Sequence, residues 1–134
     1  MGLERLTCVL QGKTTNFEID IFKPINEEIS KYVRNKKEFN TPAGEKFYYQ
    51  HLYPISDHIR AIVFSLTDGV IPSNEGRGYV IRKLLRGAMM HAHRLSVNGL
   101  QEPFLYKIAP IVTRVMGTAY SELKDAQQSV AMTI

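Results

Sequence analysis

The sequence has few of the features that mark secreted, metal-bound or membrane-spanning proteins. Its 134 residues include one cysteine, Cys8, which excludes an internal disulfide framework and a cysteine-based zinc cluster. No apolar run approaches the roughly 18 residues that a membrane-spanning helix needs, and no signal-peptide pattern opens the chain. We therefore expect a cytoplasmic protein.

Acidic residues are missing from one long stretch. There is none between Glu75 and Glu102, although five of the 17 Lys and Arg residues lie there. They are Arg77, Arg82, Lys83, Arg86 and Arg94. The net charge of the chain is +4, so this stretch contributes +5 and the remaining residues sum to −1. Such local basicity indicates a polyanionic partner, either a nucleic acid or an acidic membrane surface.

Composition and periodicity predict an all-α fold, a single bundle of about five to six helices. Apolar residues make up 44% of the chain and charged residues 22%, which is typical of a globular protein and argues against disorder. Apolar positions recur at helical spacing in several segments. No segment shows the period-2 alternation of a half-buried strand.

The first half of the chain is expected to hold three helices. The first ends near Gly12, and the second covers residues 20–34 with Asp20 as its candidate cap. Residues 36–50 lack a clear period and are predicted to be loop or partly ordered chain. The third helix begins at Pro54, because proline suits a first helical position, and it stops at Asp68-Gly69. Its core stripe consists of Ile55, Ile59, Ile62, Val63 and Leu66.

The second half is also expected to hold three helices. A fourth covers residues 78–97, with Asn98-Gly99 as its stop. A fifth segment opens at Pro103, and Pro110 must kink or break it because proline removes one backbone hydrogen bond. Residues 117–118 separate it from a last helix. The apolar positions of that last helix are Leu123, Ala126, Val130 and Ile134.

The fourth predicted helix has two different faces. The apolar face consists of Ile81, Leu84, Leu85, Ala88, Ala92 and Leu95. The basic face, an arc of about 120° on a helical wheel, consists of Arg82, Lys83, Arg86 and Arg94. A solvated face is the ordinary interpretation of a basic helix, but solvated faces usually mix both signs in i, i+4 pairs. Nucleic-acid binding is therefore an equally good interpretation.

The loop before this helix adds a candidate for base recognition. Pro72, Ser73 and Asn74 supply turn and cap chemistry, and the Asn74 amide offers both donors and an acceptor. A long helix cannot enter the deep, narrow major groove of A-form RNA. It can follow the phosphate backbone, however, while the preceding loop addresses the wide minor groove. Phosphate contacts position a nucleic acid, whereas base-edge contacts specify it.

Residues 56–88, "SDHIRAIVFSLTDGVIPSNEGRGYVIRKLLRGA", closely resemble the tRNA-recognition region of alanyl-tRNA synthetases. The opening "MGLERL" resembles the end of motif 3 in these class II enzymes. The segments "LTCVLQG", "NFEIDIF" and "LYKIAPIVTRVMGTAYSEL" are also similar, so the resemblance covers nearly the whole chain. It implies two domains: residues 1–16 end the catalytic domain, and residues 17–134 form a helical acceptor-stem recognition domain.

The resemblance implies roles for individual residues. Arg5 is the motif 3 arginine that contacts an ATP phosphate, and Gly2 permits close approach of the nucleotide. Asn74 recognises a G·U wobble pair high in the acceptor stem. Arg86 matches a basic position that holds that stem, and the local basicity adds Arg77, Arg82 and Lys83 as expected tRNA-binding side chains. The chain departs from the usual family pattern at Lys83 and Gly87, where arginines are common, and this bears on the strength of stem binding.

The resemblance also implies parts that this sequence lacks. Motifs 1 and 2, the alanine-binding acid and the editing region are absent, so we expect a piece of a longer ligase that is cut at both ends. The full enzyme would use ATP with Mg, alanine and tRNA(Ala), whereas the chain alone would bind no cofactor and be inactive. No membrane partner or obligate protein partner is expected. The alternatives are a free-standing RNA-binding module and a helical protein-interaction domain.

Several other side chains are interpreted as structural. His91 and His93 do not share a helix face, and no carboxylate or cysteine is close in sequence, so no metal site is expected. Asp57, His58 and Arg60 are expected to cap and brace the third helix. The remaining candidates are interpreted as packing residues: Met89, Met90, Tyr48, Tyr49 and Tyr53.

Overall fold

The computed structural model describes residues 2–33, 36–95 and 103–134, and these fold into six α-helices. In chain order they are α1 (Leu3–Leu10), α2 (Lys23–Lys31), α3 (Pro42–Thr67), α4 (Gly76–Arg94), α5 (Leu105–Met116) and α6 (Glu122–Thr133). Two short 3-10 helices, Asn16–Glu18 and Lys36–Phe39, precede α2 and α3. The described ranges contain no β-strand, so the all-α prediction is confirmed.

The main core forms around α3, which packs most extensively against α4 and also contacts α2, α5 and α6. The two apolar stripes predicted for α3 and α4 meet in one buried cluster. Its members from these two helices include Leu52, Ile55, Ile59, Val63, Ala88 and Ala92. Burial of these aliphatic side chains supplies the main favourable contribution to folding. The core stripe predicted for the third helix and the apolar face predicted for the fourth therefore pack together.

The other helices complete this core. The buried side chains that they contribute are Ile25 and Ile29 of α2, Leu105, Ile108 and Val112 of α5, and Leu123 and Val130 of α6. Ala126 and Ile134 pack against the same cluster while remaining partly exposed. The apolar face predicted for the last helix is thus confirmed.

A smaller cluster attaches α1 to the rest of the molecule. Cys8 of α1 is buried with Ile19 and Phe22 from the segment that leads into α2. Arg60 of α3 reaches the same region and donates from Nη1 to Glu4 Oε1 over 2.7 Å. This confirms the bracing role predicted for Arg60. Asp57 lies inside α3 and 3.7 Å from Arg60 Nη2, so it braces that arginine and does not cap the helix.

The third helix begins 12 residues earlier than the sequence predicted, since α3 starts at Pro42 and Pro54 lies inside it. Thr41 is the actual cap, and its hydroxyl oxygen accepts from the Gly44 N–H at 3.0 Å. Pro54 costs one backbone hydrogen bond. That cost is offset by burial on both sides of it, at Leu52 and Ile55. Residues 42–50 are therefore helix, and the prediction of loop there was wrong.

The tyrosines of this early part of α3 pack as predicted. Tyr49 lies with its ring centroid 5.2 Å from that of Tyr48 and 5.1 Å from that of Tyr53. Tyr53 also stacks on Phe17, at 4.9 Å between centroids. These rings supply tertiary contacts that the periodicity of residues 36–50 did not reveal.

Further boundaries differ from the prediction. Helix α2 begins at Lys23, and its N-cap position is Phe22, so Asp20 is not the cap. Helix α5 continues through Pro110, so of the predicted kink or break the break is ruled out. Helix α4 begins two residues early, at Gly76. Helices α2 and α4 end at Lys31 and Arg94, before the predicted ends at residues 34 and 97. The predicted stop at residues 98–99 lies outside the described residues.

Among the described helices, none combines the length and the apolar character that crossing a membrane requires.

Candidate nucleic-acid interface

The loop between α3 and α4 is held in a fixed shape by its backbone. Helix α3 ends at Thr67 with Asp68 at its C-cap position, and Gly69 adopts a φ of 90°, a left-handed conformation that favours glycine. The Val70 N–H then donates to the Ser65 carbonyl at 3.0 Å and turns the chain away from α3. The chain runs through Ile71 and the following residues to α4.

Gly78 lets this loop pack directly on the first turn of α4. A Cβ at position 78 would lie 2.2 Å from the Ile71 carbonyl oxygen and 2.3 Å from Ser73 Oγ. No side chain is tolerated at such distances. The absence of a Cβ at Gly78 therefore seats the loop that carries Asn74 against the basic helix.

Asn74 is exposed at the end of this loop, and its side chain contacts α4. Arg82 donates from Nη1 to Asn74 Oδ1. The N-cap position of α4 is Glu75, and no side chain caps this helix. The cap chemistry predicted for residues 72–74 was therefore wrong, and the Asn74 amide instead faces the basic side chains.

The two predicted faces of α4 are confirmed. Ile81, Ala88 and Ala92 are buried, while Leu84 and Leu85 are partly buried. All five basic side chains are exposed: Arg77, Arg82, Lys83, Arg86 and Arg94. The ion pairs described for residues 2–33, 36–95 and 103–134 join other residues, so no carboxylate in those ranges neutralises this face.

The exposed face of α4 also carries apolar side chains. Tyr79 and Val80 are 50% and 54% exposed, and Met89 and Met90 are 55% and 51% exposed. Both methionines were interpreted as packing residues, and each keeps about half of its surface in solvent. Both line a cavity of about 590 Å³ between α4 and the start of α5, where Arg86 forms part of the wall.

A histidine pair lies inside the α3–α4 contact. His51 Nδ1 and His91 Nδ1 are 2.8 Å apart, so one ring donates and the other accepts. Burial lowers the pKa of both side chains, and the nearby Arg94 guanidinium lowers each further. His58 lies next to the pair, with its ring centroid 6.3 Å from that of His91. The described residues contain no group of three His, Cys, Asp or Glu side chains that could hold a metal ion.

The two residues proposed for ATP contact lie on or before α1. Arg5 and Gly2 are both exposed, and within the described ranges no carboxylate pairs with Arg5. A Cβ at Gly2 would meet only Glu4 Oε2, at 3.9 Å. The space beside Gly2 is therefore open. An exposed guanidinium and an open stretch of backbone each suit one edge of a phosphate site, and the other walls of such a site would come from other residues.

Comparison with known protein families identifies the family of the chain. The model for "tRNA synthetases class II (A)" matches residues 1–134. The chain belongs to the class II alanyl-tRNA synthetase family.

Curated relatives of the chain include alanine–tRNA ligases. The chain is 46% identical over 131 residues to that of Rickettsia akari and 47% identical over 134 residues to that of Pediococcus pentosaceus. These alignments cover 98% and 100% of this chain but 14% of each relative. It is 48% identical over 124 residues to the ligase of Streptococcus pyogenes serotype M12, which covers 92% of this chain and 13% of the relative. The chain thus spans about one seventh of the length of the ligases it matches.

This surface contains features that sequence reasoning missed. The bond between Asn74 and Arg82 joins a loop residue to a helical residue eight positions later, and no periodicity indicates such a contact. The exposure of Tyr79 beside the basic residues was also missed. The "GRG" spacing around Arg77 was the signal that could have revealed the close approach at Gly78.

Proposed function

We propose that this chain is the part of an alanine–tRNA ligase that grips the acceptor stem of tRNA(Ala). The complete enzyme activates alanine with ATP and Mg and transfers it to the tRNA. The observation that carries this proposal is the exposed basic face of α4, which no carboxylate neutralises within the described residues, with Asn74 at its start. The family membership supports it, because the matched ligases act through a tRNA substrate.

The geometry of α4 suits the backbone of an RNA stem. Its 19 residues extend for roughly 28 Å at about 1.5 Å per residue, long enough to follow several phosphates. Arg77, Arg82, Lys83 and Arg86 contact phosphates in this proposal, and the arginines can do so bidentately. The loop at the N-terminal end of α4 then addresses the shallow minor groove with Asn74.

Recognition of a G·U wobble pair by Asn74 has a chemical basis. In a wobble pair the guanine amino group projects into the minor groove without a pairing partner. The Asn74 side chain is exposed and carries an acceptor for that amino group and donors for a neighbouring acceptor. A G·C pair uses the same amino group in base pairing, so it offers a weaker match.

The first residues belong to a different functional unit in this proposal. Residues 1–16 form the end of the catalytic domain, in which Arg5 contacts an ATP phosphate and Gly2 permits its approach. Residues 17–134 form the tRNA-recognition domain. The apolar side chains of α1 support this division, because Leu3, Val9 and Leu10 are 66%, 73% and 77% exposed and are free to pack against another part of the enzyme.

The chain alone is inactive in alanine activation, since it holds only one edge of the site and positioning accounts for much of such a rate enhancement. We place the enzyme in the cytoplasm, where tRNA charging supplies protein synthesis.

Salt-dependent tRNA affinity tests the proposed stem contact. Arg86→Gln in the ligase that contains this segment should weaken binding of wobble and non-wobble tRNA alike. It should also reduce the slope of log Kd against log salt by about one phosphate contact. Lys46→Gln, which removes one exposed charge from α3, is the matched control and should leave the slope unchanged. An unchanged slope in the Arg86 variant would contradict the proposed contact between Arg86 and the phosphate backbone.

A further inference from the structure

The contact between Arg82 and Asn74 gives Arg82 a role besides phosphate binding. The guanidinium donates to Asn74 Oδ1 across the junction between loop and helix, and both side chains are exposed. Lys83, the next residue of the same basic face, forms no hydrogen bond or ion pair among the contacts described for residues 2–33, 36–95 and 103–134. Two neighbouring cations on one helix therefore have different environments.

An arginine partner can fix the orientation of an asparagine amide. The oxygen and nitrogen of an amide occupy nearly equivalent positions, so a rotation of 180° exchanges an acceptor for donors. Arginine has five N–H donors and no acceptor. Arg82 can therefore bind the Asn74 amide only in the orientation in which Oδ1 faces the guanidinium. The opposite orientation of the amide would direct the Nδ2 hydrogens at a cation.

The orientation that Arg82 selects leaves groups free for a base pair. Oδ1 has two lone pairs, and the guanidinium occupies one. The second lone pair and both Nδ2 hydrogens of Asn74 remain available on the solvent side. Polarisation along a chain of hydrogen bonds also makes the Nδ2 hydrogens stronger donors while Arg82 is bound to the oxygen.

The loop that carries Asn74 is anchored close enough for this contact to be maintained. Because Gly78 has no Cβ, the Ile71 carbonyl and Ser73 can pack against the first turn of α4. Ser73 Oγ also donates to the Glu75 carbonyl at 2.8 Å, which closes the loop on itself. The backbone on either side of Asn74 is thus held, and the remaining freedom is rotation of its side chain.

We infer that Arg82 is a positioning residue that fixes the Asn74 amide for minor-groove recognition of the wobble pair. This inference rests on the proposed function, because it presupposes that Asn74 contacts that pair. It adds a contribution to base specificity to the phosphate contact of Arg82, whereas Lys83 and Arg86 contribute only to affinity for the stem. Loss of Arg82 should then change which tRNA is charged, and loss of Lys83 should change how much of any tRNA is bound.

A double-mutant cycle in the ligase that contains this segment separates these roles. The measured quantity is the ratio of aminoacylation kcat/KM for tRNA with G·U to that for tRNA with G·C at the same step. Both tRNAs are assayed on one preparation, so the fraction of folded enzyme cancels from the ratio. The variants are wild type, Asn74→Ala, Arg82→Met, Arg82→Lys, Lys83→Met and the double variant of Asn74→Ala with Arg82→Met.

Arg82→Met should lower this ratio about tenfold, the change expected when one charge-assisted hydrogen bond of about 1.4 kcal/mol is lost. Adding Arg82→Met to Asn74→Ala should cause no further loss, because the positioned amide is already gone. Arg82→Lys should retain most of the ratio, since lysine also only donates. Lys83→Met, the matched control, should reduce both values of kcat/KM equally.

Three outcomes would overturn the inference, and they are distinguishable. If Asn74→Ala lowers the ratio but Arg82→Met does not, Arg82 binds phosphate only and the proposed function stands. If Arg82→Met lowers the ratio equally in the Asn74→Ala background, it acts independently of the amide. If Asn74→Ala leaves the ratio unchanged, the wobble recognition in the proposed function fails, and the inference fails with it.

Discussion

Arg60 Nη1 donates to Glu4 Oε1 over 2.7 Å, which joins α3 to α1 across 56 positions of sequence. The guanidinium carbon of Arg60 also lies 4.7 Å from the centroid of the Phe22 ring. One side chain therefore connects α1, the segment before α2, and α3. The hydrogen bond from Arg60 lowers the pKa of the Glu4 carboxyl below its usual value of 4.5.

Removing the charge of Glu4 should weaken the attachment of α1. Glu4→Gln keeps the size of the side chain but loses the ion pair, and we expect a loss of about 0.5–1 kcal/mol in unfolding free energy for this partly exposed pair. The contribution of Glu4 is present above pH 4.5 and is lost as the pH falls through its lower folded pKa. Urea unfolding of wild type and Glu4→Gln at neutral and acidic pH measures this contribution to the unfolding free energy.

Glu122→Gln is the control for this experiment, because Glu122 is exposed and forms none of the described ion pairs. It should have little effect at any pH. A difference between wild type and Glu4→Gln that stays the same at acidic pH would contradict an electrostatic role for Glu4.

The His51–His91 pair should make the stability of the bundle depend on pH below neutrality. Burial lowers the pKa of both rings in the folded state below the ordinary value of 6.5, so the unfolded chain binds more protons in this range. Stability should therefore be fully present above pH 6.5 and fall as the pH drops towards the lower folded pKa values. Thermal unfolding between pH 8 and pH 5, about the range in which histidine titrates, measures this loss.

His91→Gln should flatten that pH dependence, because glutamine does not titrate yet can still bond to His51 Nδ1. His93→Gln is the matched control, since His93 is exposed on the same helix. If the His93 variant flattened the profile as much as the His91 variant, the buried pair would not be its cause.

The sequence predicted the parts of the fold that depend on regular burial. The stripes of α3 and α4 were found because Ile55, Ile59, Ala88 and Ala92 recur at helical spacing and all lie in the core. The start of α3 was missed because residues 42–50 are stabilised by ring contacts such as Phe39–Tyr48, at 5.4 Å between centroids, and not by an aliphatic stripe.

The residues of the candidate site were predicted from the sequence, but their arrangement in space was not. Exposure of the basic side chains followed from the helical wheel, since Arg82 and Arg86 lie opposite Ala88. The bond from Arg82 to Asn74 depends on how the loop returns to the helix, which is a tertiary property. The roles of Asn74 and Arg5 towards tRNA and ATP rest on family resemblance and stay predictions.

Gly78→Ala should displace the loop that carries Asn74. The new methyl group would meet the Ile71 carbonyl oxygen at 2.2 Å, and a backbone group cannot rotate away as a side-chain end can. We expect a loss of about 1–3 kcal/mol in stability, typical of overpacking. In the complete ligase we also expect a lower preference for G·U over G·C tRNA.

Gly87→Ala in the same helix is the control. Its methyl group would lie 3.4 Å from His58 Cε1, an ordinary contact, and alanine favours helix over glycine by up to about 1 kcal/mol. This variant should be as stable as wild type or more stable, with unchanged tRNA preference. Equal effects of the two substitutions on tRNA preference would contradict the close approach at Gly78 as the cause.

The most direct test of the central claim is the preference of the ligase for the wobble pair with and without Asn74. The measurement is aminoacylation kcat/KM for tRNA with G·U or G·C at the recognised step, using wild type and Asn74→Ala. The account predicts that the substitution removes about 1–3 kcal/mol of discrimination between the two tRNAs, as for single base-edge contacts. The value of kcat/KM should fall mainly for the G·U tRNA. An unchanged ratio between the two tRNAs would contradict it.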